Sequence, residues 1–384
     1  MTIFVLVTLT VLMSACGPTK TAVPQPTKPT APNASSASPG PSSCPGLASG
    51  TSPTAGSPSC QLAVAEFPSA PGQAPVAHGG GFLKLPSATY SADPGAQLVP
   101  RADPNRRGLW ETVAQPVLIG DGGPTYDRTL RRWLPVPASQ VSPDGLHYAY
   151  EDFVLPPGVT PGAGPVVYLP RLHVVDLTNG QDRVVPSSSL PAAVGVVSYQ
   201  ADGIYLTAGC PEGCPPDANK LWQLDLKNGI LRKITDLQGN GWMIANGSAW
   251  TAIDEAPAGS TPRFEVVQVR LSDGSSSRWL VVTPPCTSSC RGPDAAGVDA
   301  NGNLLVALWI GDSVHLEKVT APEQAEELVS LVAQSEGSPY FIGGMVDQRT
   351  WFGTRQGLFV YSPAQSLHKV SGMPVIPASG GVQA

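Results

Sequence analysis

The amino-acid sequence predicts an all-β protein, a six-bladed β-propeller of four-stranded blades preceded by a disordered Pro/Ser/Thr-rich stalk. Two observations predict the propeller. A strand–turn–strand unit recurs along the chain, and strand-forming residues dominate from residue 79 onwards. A third observation predicts the stalk, because Pro, Ser, Thr, Ala and Gly dominate the segment between residues 17 and 78.

The clearest copy of the repeating unit lies between residues 141 and 186. It opens with Ser142-Pro143-Asp144-Gly145 ahead of one strand, and it closes with a strand that ends at Asp176 before the turn Asn179-Gly180. Asp-Gly and Asn-Gly turns between apolar alternations are strong hairpin signals, because their central residues accept a positive φ at little cost. The unit therefore predicts three consecutive antiparallel strands.

The unit recurs at a regular spacing. The next copy ends its strand at Asp225 and turns at Asn228-Gly229. With Asp176 as the phase marker, equivalent positions recur at steps of 44 to 49 residues, which suits four-stranded propeller blades. The phase markers are Asp127, Asp176, Asp225, Arg270, Lys318 and Ser362. Six markers predict six blades.

The motif also resembles a known repeat. Ser142-Pro143-Asp144-Gly145, together with the downstream Asp176 and Asn179-Gly180, is similar to the WD40-like (PD40) repeat of TolB-type propellers. The full motif is present once, and degraded copies cover roughly residues 106 to 370. The resemblance implies a propeller fold without fixing its function, since such propellers also form the front domain of prolyl-oligopeptidase-type enzymes.

The first 16 residues have the pattern of an export signal. The apolar run from Ile3 to Met13 is too short to span a bilayer, and small residues lead from it to Cys16. This segment, residues 1-16, resembles a bacterial lipoprotein signal, in which Cys16 becomes the lipidated first residue. The resemblance implies a lipid anchor in the cell membrane, on its extracytoplasmic side. An ordinary signal peptide with an unmodified Cys16 is the alternative.

The rest of the chain divides into two regions. Residues 17-78 are predicted to form a disordered low-complexity linker, because their composition cannot bury enough apolar area to offset the entropy of ordering. Residues 79-384 are predicted to form the propeller, starting at Gly79-Gly80-Gly81, and they suffice for one core. Between Ala321 and Val332 the pattern fits a short helix and an outer strand equally well.

The charge of the chain argues against nucleic acid as a partner. The net charge is −6 at pH 7, and 14% of the residues are charged. A local basic cluster of Arg128, Arg131 and Arg132 adjoins Trp133 on a predicted outer hairpin. A solvated blade edge is the expected role of this cluster.

Six cysteines remain besides Cys16, and an even number in an exported protein predicts disulfides. The spacing favours three pairs, Cys210–Cys214, Cys286–Cys290 and Cys44–Cys60. The rival interpretation is a zinc site made by the two Cys-x₃-Cys pairs, whose spacing such sites allow.

The phase of the repeat assigns the two close cysteine pairs to one face of the propeller. If Asp-Gly and Asn-Gly turns close the first-to-second and third-to-fourth strand connections, the remaining connections emerge on the opposite face. Cys210 to Cys214 then lies between the second and third strands of the third blade, and Cys286 to Cys290 lies in the crossover to the fifth. The segments Leu155 to Pro170 and Asp254 to Arg263 join them there, and function in such scaffolds resides on elaborated loops.

No catalytic residue, metal site or cofactor is predicted. The sequence lacks a Gly-x-Ser-x-Gly nucleophile motif. His147, His173 and His315 fall within predicted strands, where a packed histidine is commoner than a ligand. The segment Asp299 to Asn303 starts like a calcium loop but lacks its later Gly and Glu, which predicts a hairpin turn. Asp144 is expected to bond its own turn.

These observations predict a monomeric, lipid-anchored binding module of the cell envelope. Its partner, a protein or an envelope glycan, would contact the loop-rich face. The alternative is an enzyme, a glycan lyase or hydrolase with its active site in the central funnel. Ionisable side chains converging on the funnel would favour the enzyme, and a broad apolar or aromatic patch would favour the binder. A purely structural spacer would show neither feature.

Overall fold

The computed structural model describes the strands of the protein and many of their connections. The described residues are 60–66, 79–96, 125–154, 169–185, 190, 194–208, 219–239, 241–255, 261–283, 292–299, 301–310, 313–332, 339–346, 349–362 and 366–383. Within these ranges, helical structure is limited to two 3-10 turns, Pro94–Ala96 and Ala138–Gln140. None of the helices in these ranges has the length and apolar character needed to cross a membrane.

The described residues form 25 strands, as an all-β fold requires. In chain order they are β1 Cys60–Glu66, β2 Gly79–Leu85, β3 Thr89–Ala92, β4 Thr125–Asp127, β5 Arg132–Leu134, β6 His147–Val154, β7 Leu169–Asp176, β8 Asp182–Val185, β9 Val194–Gln200, β10 Gly203–Ala208, β11 Leu221–Leu224, β12 Leu231–Lys233, β13 Met243–Ala245, β14 Ser248–Asp254, β15 Phe264–Arg270, β16 Ser276–Val282, β17 Asp294–Val298, β18 Leu304–Ile310, β19 Ser313–Ala321, β20 Gln324–Val332, β21 Pro339–Val346, β22 Arg349–Thr354, β23 Gly357–Ser362, β24 Ser366–Ser371 and β25 Val375–Gln383.

The strands build six sheets, which are the six blades of a β-propeller. Blades 3 to 6 are four-stranded meanders, β9–β12, β13–β16, β17–β20 and β21–β24. Blade 2 contains β6–β8, and a single bridge between Val141 and Tyr148 stands at its inner edge. The first strands of blades 3 to 6, β9, β13, β17 and β21, contact one another in succession, and β21 also contacts β25, so these strands form the inner ring and β25 serves as the first strand of blade 1, with β1 as the second. The predicted fold class is confirmed.

Blade 1 closes the ring with strands from both ends of the chain. Its strand order is β3-β2-β1-β25-β4-β5, so the late strand β25 lies beside β1. The two strands are antiparallel, with Glu66 opposite Val375 and Gln61 opposite Gln383. Closure of this kind satisfies a sheet edge that would otherwise be open to aggregation.

The predicted start of the propeller at Gly79 is wrong, because β1 lies within the segment predicted to be linker. Leu62, Ala63, Val64 and Ala65 are fully buried in the middle of blade 1. Leu62 and Val64 pack on side chains of β2, β22 and β25. The short alternation of this strand is surrounded by Pro, Ser and Gly, and its pairing partners lie far away in the sequence. Residues 17–59 lie outside the described residues.

The first phase marker also belongs to a different structure from the one predicted. Asp127 ends β4, whose hairpin with β5 joins blade 1 through one parallel bridge between Ser379 and Thr125. Trp133 of this hairpin packs on Phe82 and Tyr126 and donates a hydrogen bond of 2.9 Å to Asp93. Four of the other five markers end or directly follow the third strands of blades 2, 3, 4 and 6, and Lys318 lies within β19, three residues before that strand ends. The blade count is therefore right, although the composition of blade 1 was not foreseen.

The hydrophobic core lies in the spaces between neighbouring blades. Leu172 and Val174 of blade 2, for example, pack against Ile204 and Leu206 of blade 3. Alternate residues of each middle strand serve the two flanking interfaces, as the period of two in a strand requires. The ambiguous segment from Ala321 to Val332 forms the end of β19, a two-residue turn and the exposed outer strand β20.

Candidate functional site

The two faces of the propeller differ in the length of their connections. On one side, which we call the turn face, short turns join the first strand to the second and the third strand to the fourth. On the opposite side, the loop face, the second strand connects to the third and each blade crosses to the next. The second-to-third connections of blades 1 to 4 are long, spanning residues 67–78, 155–168, 209–220 and 255–263. Those of blades 5 and 6 span only residues 311–312 and 355–356.

The repeat-motif residues build the turn face. Ser142 Oγ donates to Asp144 Oδ1 at 2.5 Å, and Leu146 N–H donates to the same carboxylate at 2.9 Å. These two bonds, in that order, hold the pKa of Asp144 below its ordinary value. Gly145 has φ of +70°, which a side chain would strain. Ser142, Pro143, Asp144 and Gly145 therefore form a structural turn.

The downstream turns are built in the same way. Thr178 donates to Asp176 Oδ1 through its hydroxyl and its N–H, at 2.6 and 2.7 Å, and these bonds hold the pKa of Asp176 below its ordinary value. Asn179 Nδ2 donates to the other carboxylate oxygen at 2.9 Å. The equivalent turn of blade 3 repeats this pattern in Asp225, Asn228 and Gly229. The carboxylates of these turns are occupied by their own backbone and side chains.

The calcium-like segment is a hairpin turn as predicted. Asp299 accepts hydrogen bonds from the N–H groups of Asn301 and Asn303 at 2.9 and 2.8 Å, and from Asn303 Nδ2 at 2.8 Å. Within the described residues no group of three or more His, Cys, Asp or Glu side chains is placed to hold a metal ion.

The cysteines fall mainly outside the described residues. Strands β10 and β11 flank Cys210 and Cys214, and β16 and β17 flank Cys286 and Cys290. Cys60 opens β1, is 1% exposed and forms a disulfide bond. The six other cysteines, with Cys16 and Cys44 among them, lie outside the described residues, so the three pairs, the zinc alternative and the lipidation stay predictions.

The base of the blade 3 connection is fixed to the next crossover. Asn219 N–H donates to Ala208 C=O at 2.6 Å and closes the connection. Asn219 C=O accepts hydrogen bonds from Trp242 Nε1 at 2.7 Å and from Gly239 N–H at 3.1 Å. Thr251 of β14 completes the link, because its hydroxyl donates to Gly241 C=O at 2.6 Å.

The bases of the blade 4 connection and of the crossover into blade 5 also touch. Glu255 N–H donates to Arg263 C=O at 2.9 Å and closes the blade 4 connection. Gly292, which follows the Cys286–Cys290 segment, lies against the Phe264 ring so closely that a Cβ there would be 3.1 Å from ring carbons. The described bases therefore make two links between neighbouring elements, one from the blade 3 connection to the crossover into blade 4 and one from the base of the blade 4 connection to the crossover into blade 5.

Sequence reasoning missed two repeated histidine–carboxylate pairs. His173 Nδ1 lies 2.9 and 3.0 Å from the two carboxylate oxygens of Asp182, and the His173 ring stacks on Tyr150 at 4.5 Å. In blade 5, His315 Nδ1 lies 3.0 Å from Glu327 Oε2. Both histidines stand three residues before a phase marker. That shared position is the signal that could have revealed them.

The two pairs lie away from the inner ring. Each joins the third strand of a blade to its outer strand, β7 to β8 and β19 to β20. Burial, and then the charge of Glu327, raise the pKa of the neighbouring Glu317 above its ordinary value. On the inner ring, by contrast, the carboxylate of Asp294 accepts a hydrogen bond of 3.0 Å from Trp309 Nε1. These two histidine–carboxylate pairs thus lie between the third and outer strands of their blades.

Comparison with known proteins yields weak structural similarities. No protein-family model matches the chain, and no curated protein matches it. An oligogalacturonate lyase in complex with manganese aligns at 12% identity and a TM-score of 0.32, over 60% of this chain and 74% of the lyase. Regucalcin, a calcium-binding protein from Agrobacterium tumefaciens, aligns at 13% identity and a TM-score of 0.36, over 66% and 74% of the two chains.

A gluconolactonase from Xanthomonas campestris is similar to the same degree. It aligns at 11% identity and a TM-score of 0.35, over 68% of this chain and 76% of the lactonase. At such low TM-scores these similarities carry no argument about this chain. The fold assignment depends on the sheets described above.

Proposed function

We propose that this protein is a lipid-anchored, extracytoplasmic β-propeller that binds a macromolecular partner, an envelope protein or glycan, on its loop face. The observation that carries the proposal is the asymmetry of the faces. Four consecutive blades bear long second-to-third connections on one side, whereas the connections of the turn face are short and the carboxylates of Asp144 and Asp176 accept hydrogen bonds from within their own turns. Binding residues concentrate on loops that a rigid scaffold positions.

The two links between the bases of the connections support a preorganised contact surface. Hydrogen bonds of 2.6 to 3.1 Å tie Asn219 to Ala208, Trp242 and Gly239, and the Phe264–Gly292 contact links blade 4 to blade 5. Loops that stand on fixed bases lose less freedom when a partner binds, and such preorganisation favours affinity.

The distribution of ionisable side chains weighs against the enzyme alternative. A glycan lyase or hydrolase needs acid–base groups that converge on one substrate. The two described histidine–carboxylate pairs, His173 with Asp182 and His315 with Glu327, lie in different blades, each between a third strand and an outer strand. They do not converge on one site.

The anchoring half of the proposal is tested by Cys16→Ala. The acyl chains on this residue would supply the membrane affinity. We expect the variant to move from the membrane fraction to the soluble fraction, with an unchanged circular dichroism spectrum. A variant that stays in the membrane fraction would contradict the lipid anchor.

The binding half is tested by photo-crosslinking in cells. A photoreactive amino acid replaces Arg263, at the base of a long connection, or Lys227, on a tight turn; both positions are exposed. We expect a discrete protein or glycan adduct from position 263 and none from position 227. Replacing residues 155–168 by a two-residue turn should weaken the adduct. Adducts from position 227 alone would contradict the proposal. In a separate assay, new reducing ends in an envelope glycan incubated with the protein would favour the enzyme alternative.

A further inference from the structure

The chain enters the propeller on the turn face. Cys60, the first residue of β1, pairs with Leu85 at the end of β2, directly before the short turn to β3. Its neighbour Gln61 pairs with Gln383 near the end of β25. Both of these positions are at the turn face, because β25 starts on the loop face after a three-residue crossover from β24 and runs across the blade.

The other end of β1 lies on the loop face. Glu66 pairs with Val375, at the start of β25, and with Gly79, at the start of β2. A strand of this length covers roughly 20 Å, which separates the two faces. The point of attachment of the N-terminal segment is therefore on the side opposite the long connections of blades 1 to 4.

We infer that the tether holds the turn face towards the anchoring membrane and presents the loop face to partners that approach from the side away from it. This inference rests on the proposed lipid anchor. The coil that the composition of residues 17–59 predicts would reach roughly 35 Å, or roughly 30 Å where the predicted Cys44–Cys60 pair limits the free tether to residues 17–44. A tether of this length lets the propeller rotate, but it keeps the mean position of the turn face nearer to the bilayer.

The orientation is tested on the full lipidated chain in phosphatidylcholine/phosphatidylglycerol vesicles. A fluorescent amino acid is introduced by codon suppression in place of Lys227 on the turn face or Arg355 on the loop face, both of which are exposed. Neither position makes an ion pair among the described residues, so either label should leave the fold intact. Energy transfer to an acceptor dye on the lipid headgroups reports the distance of each face from the bilayer.

We expect transfer from position 227 to exceed transfer from position 355 about twofold, because about 20 Å of strand separates the faces. Deleting residues 21–40 should widen this difference. Equal transfer from the two positions, or greater transfer from position 355, overturns the orientation while leaving the anchor intact. A chain that fails to cosediment with the vesicles overturns the anchor itself, and cosedimentation of the unlabelled chain separates the two failures.

Discussion

Leu62→Ala tests whether β1 is part of the propeller. Leu62 is 0% exposed and packs with Leu83 and Leu85 of β2, Trp351 of blade 6 and Val375 of β25. Truncating a fully buried leucine removes its transfer free energy and leaves a cavity, which costs about 2–5 kcal/mol. The upper half of that range is expected here, because strands on both sides hold β1 in register and limit collapse around the missing atoms.

The measurement is urea unfolding at equilibrium, followed by tryptophan fluorescence and by circular dichroism. The free energy of unfolding should fall by about 3.5–5 kcal/mol with an unchanged slope, since the same surface is exposed. Gln61→Ala is the matched control, because Gln61 is exposed in the same strand and its replacement should change stability by less than about 0.5 kcal/mol. If Leu62→Ala were as mild as Gln61→Ala, residues 60–66 would be a dispensable extension and the closure of blade 1 would be wrong.

Three further predictions follow from the closure, the charges and the cysteines. A chain that ends at Gly372 lacks β25, so it should melt at a lower temperature or aggregate, as differential scanning fluorimetry and light scattering would show. Glu317→Gln should stabilise the protein at pH 7, because the folded state raises the pKa of Glu317 and its ionised carboxylate therefore costs stability. The gain in stability should vanish as the pH falls below the ordinary pKa of a glutamate. An equal gain at pH 4 and at pH 7 would refute this. Cys210→Ser combined with Cys214→Ser should leave the propeller folded and lower its free energy of unfolding by about 2 kcal/mol or less. Mass spectrometry of the unreduced parent protein should show paired cysteines, whereas a zinc site would show free thiols.

The architecture was predictable wherever its signal is local in sequence. Asp176 and Asp225 fix their turns through side chains within three residues, so the phase of blades 2 and 3 follows from short motifs. Strand β1 has no such signal, since its register depends on β2 and on β25 at the other end of the chain. The marker Asp127 was assigned to the wrong part of a blade for a related reason. The spacing of the repeat places it in register with the other markers, but a tertiary contact joins its hairpin to blade 1.

The candidate site divides in the same way between local and tertiary information. The phase of the repeat is enough to assign each connection to a face of the propeller, because successive strands of a blade run in opposite directions. This assignment requires no knowledge of side-chain packing. The contacts that link the bases of these connections to neighbouring crossovers, such as Trp242 to Asn219 and Gly292 on Phe264, depend on the packing of neighbouring sheets. In a repeat protein the arrangement of strands is similar in each blade, so connections of different length start and end at equivalent strand positions. The long connections of blades 1 to 4 thus occupy one off-axis sector of the loop face, bordered by the crossover into blade 5, and a partner selected by them would contact that sector and leave blade 6 uncovered.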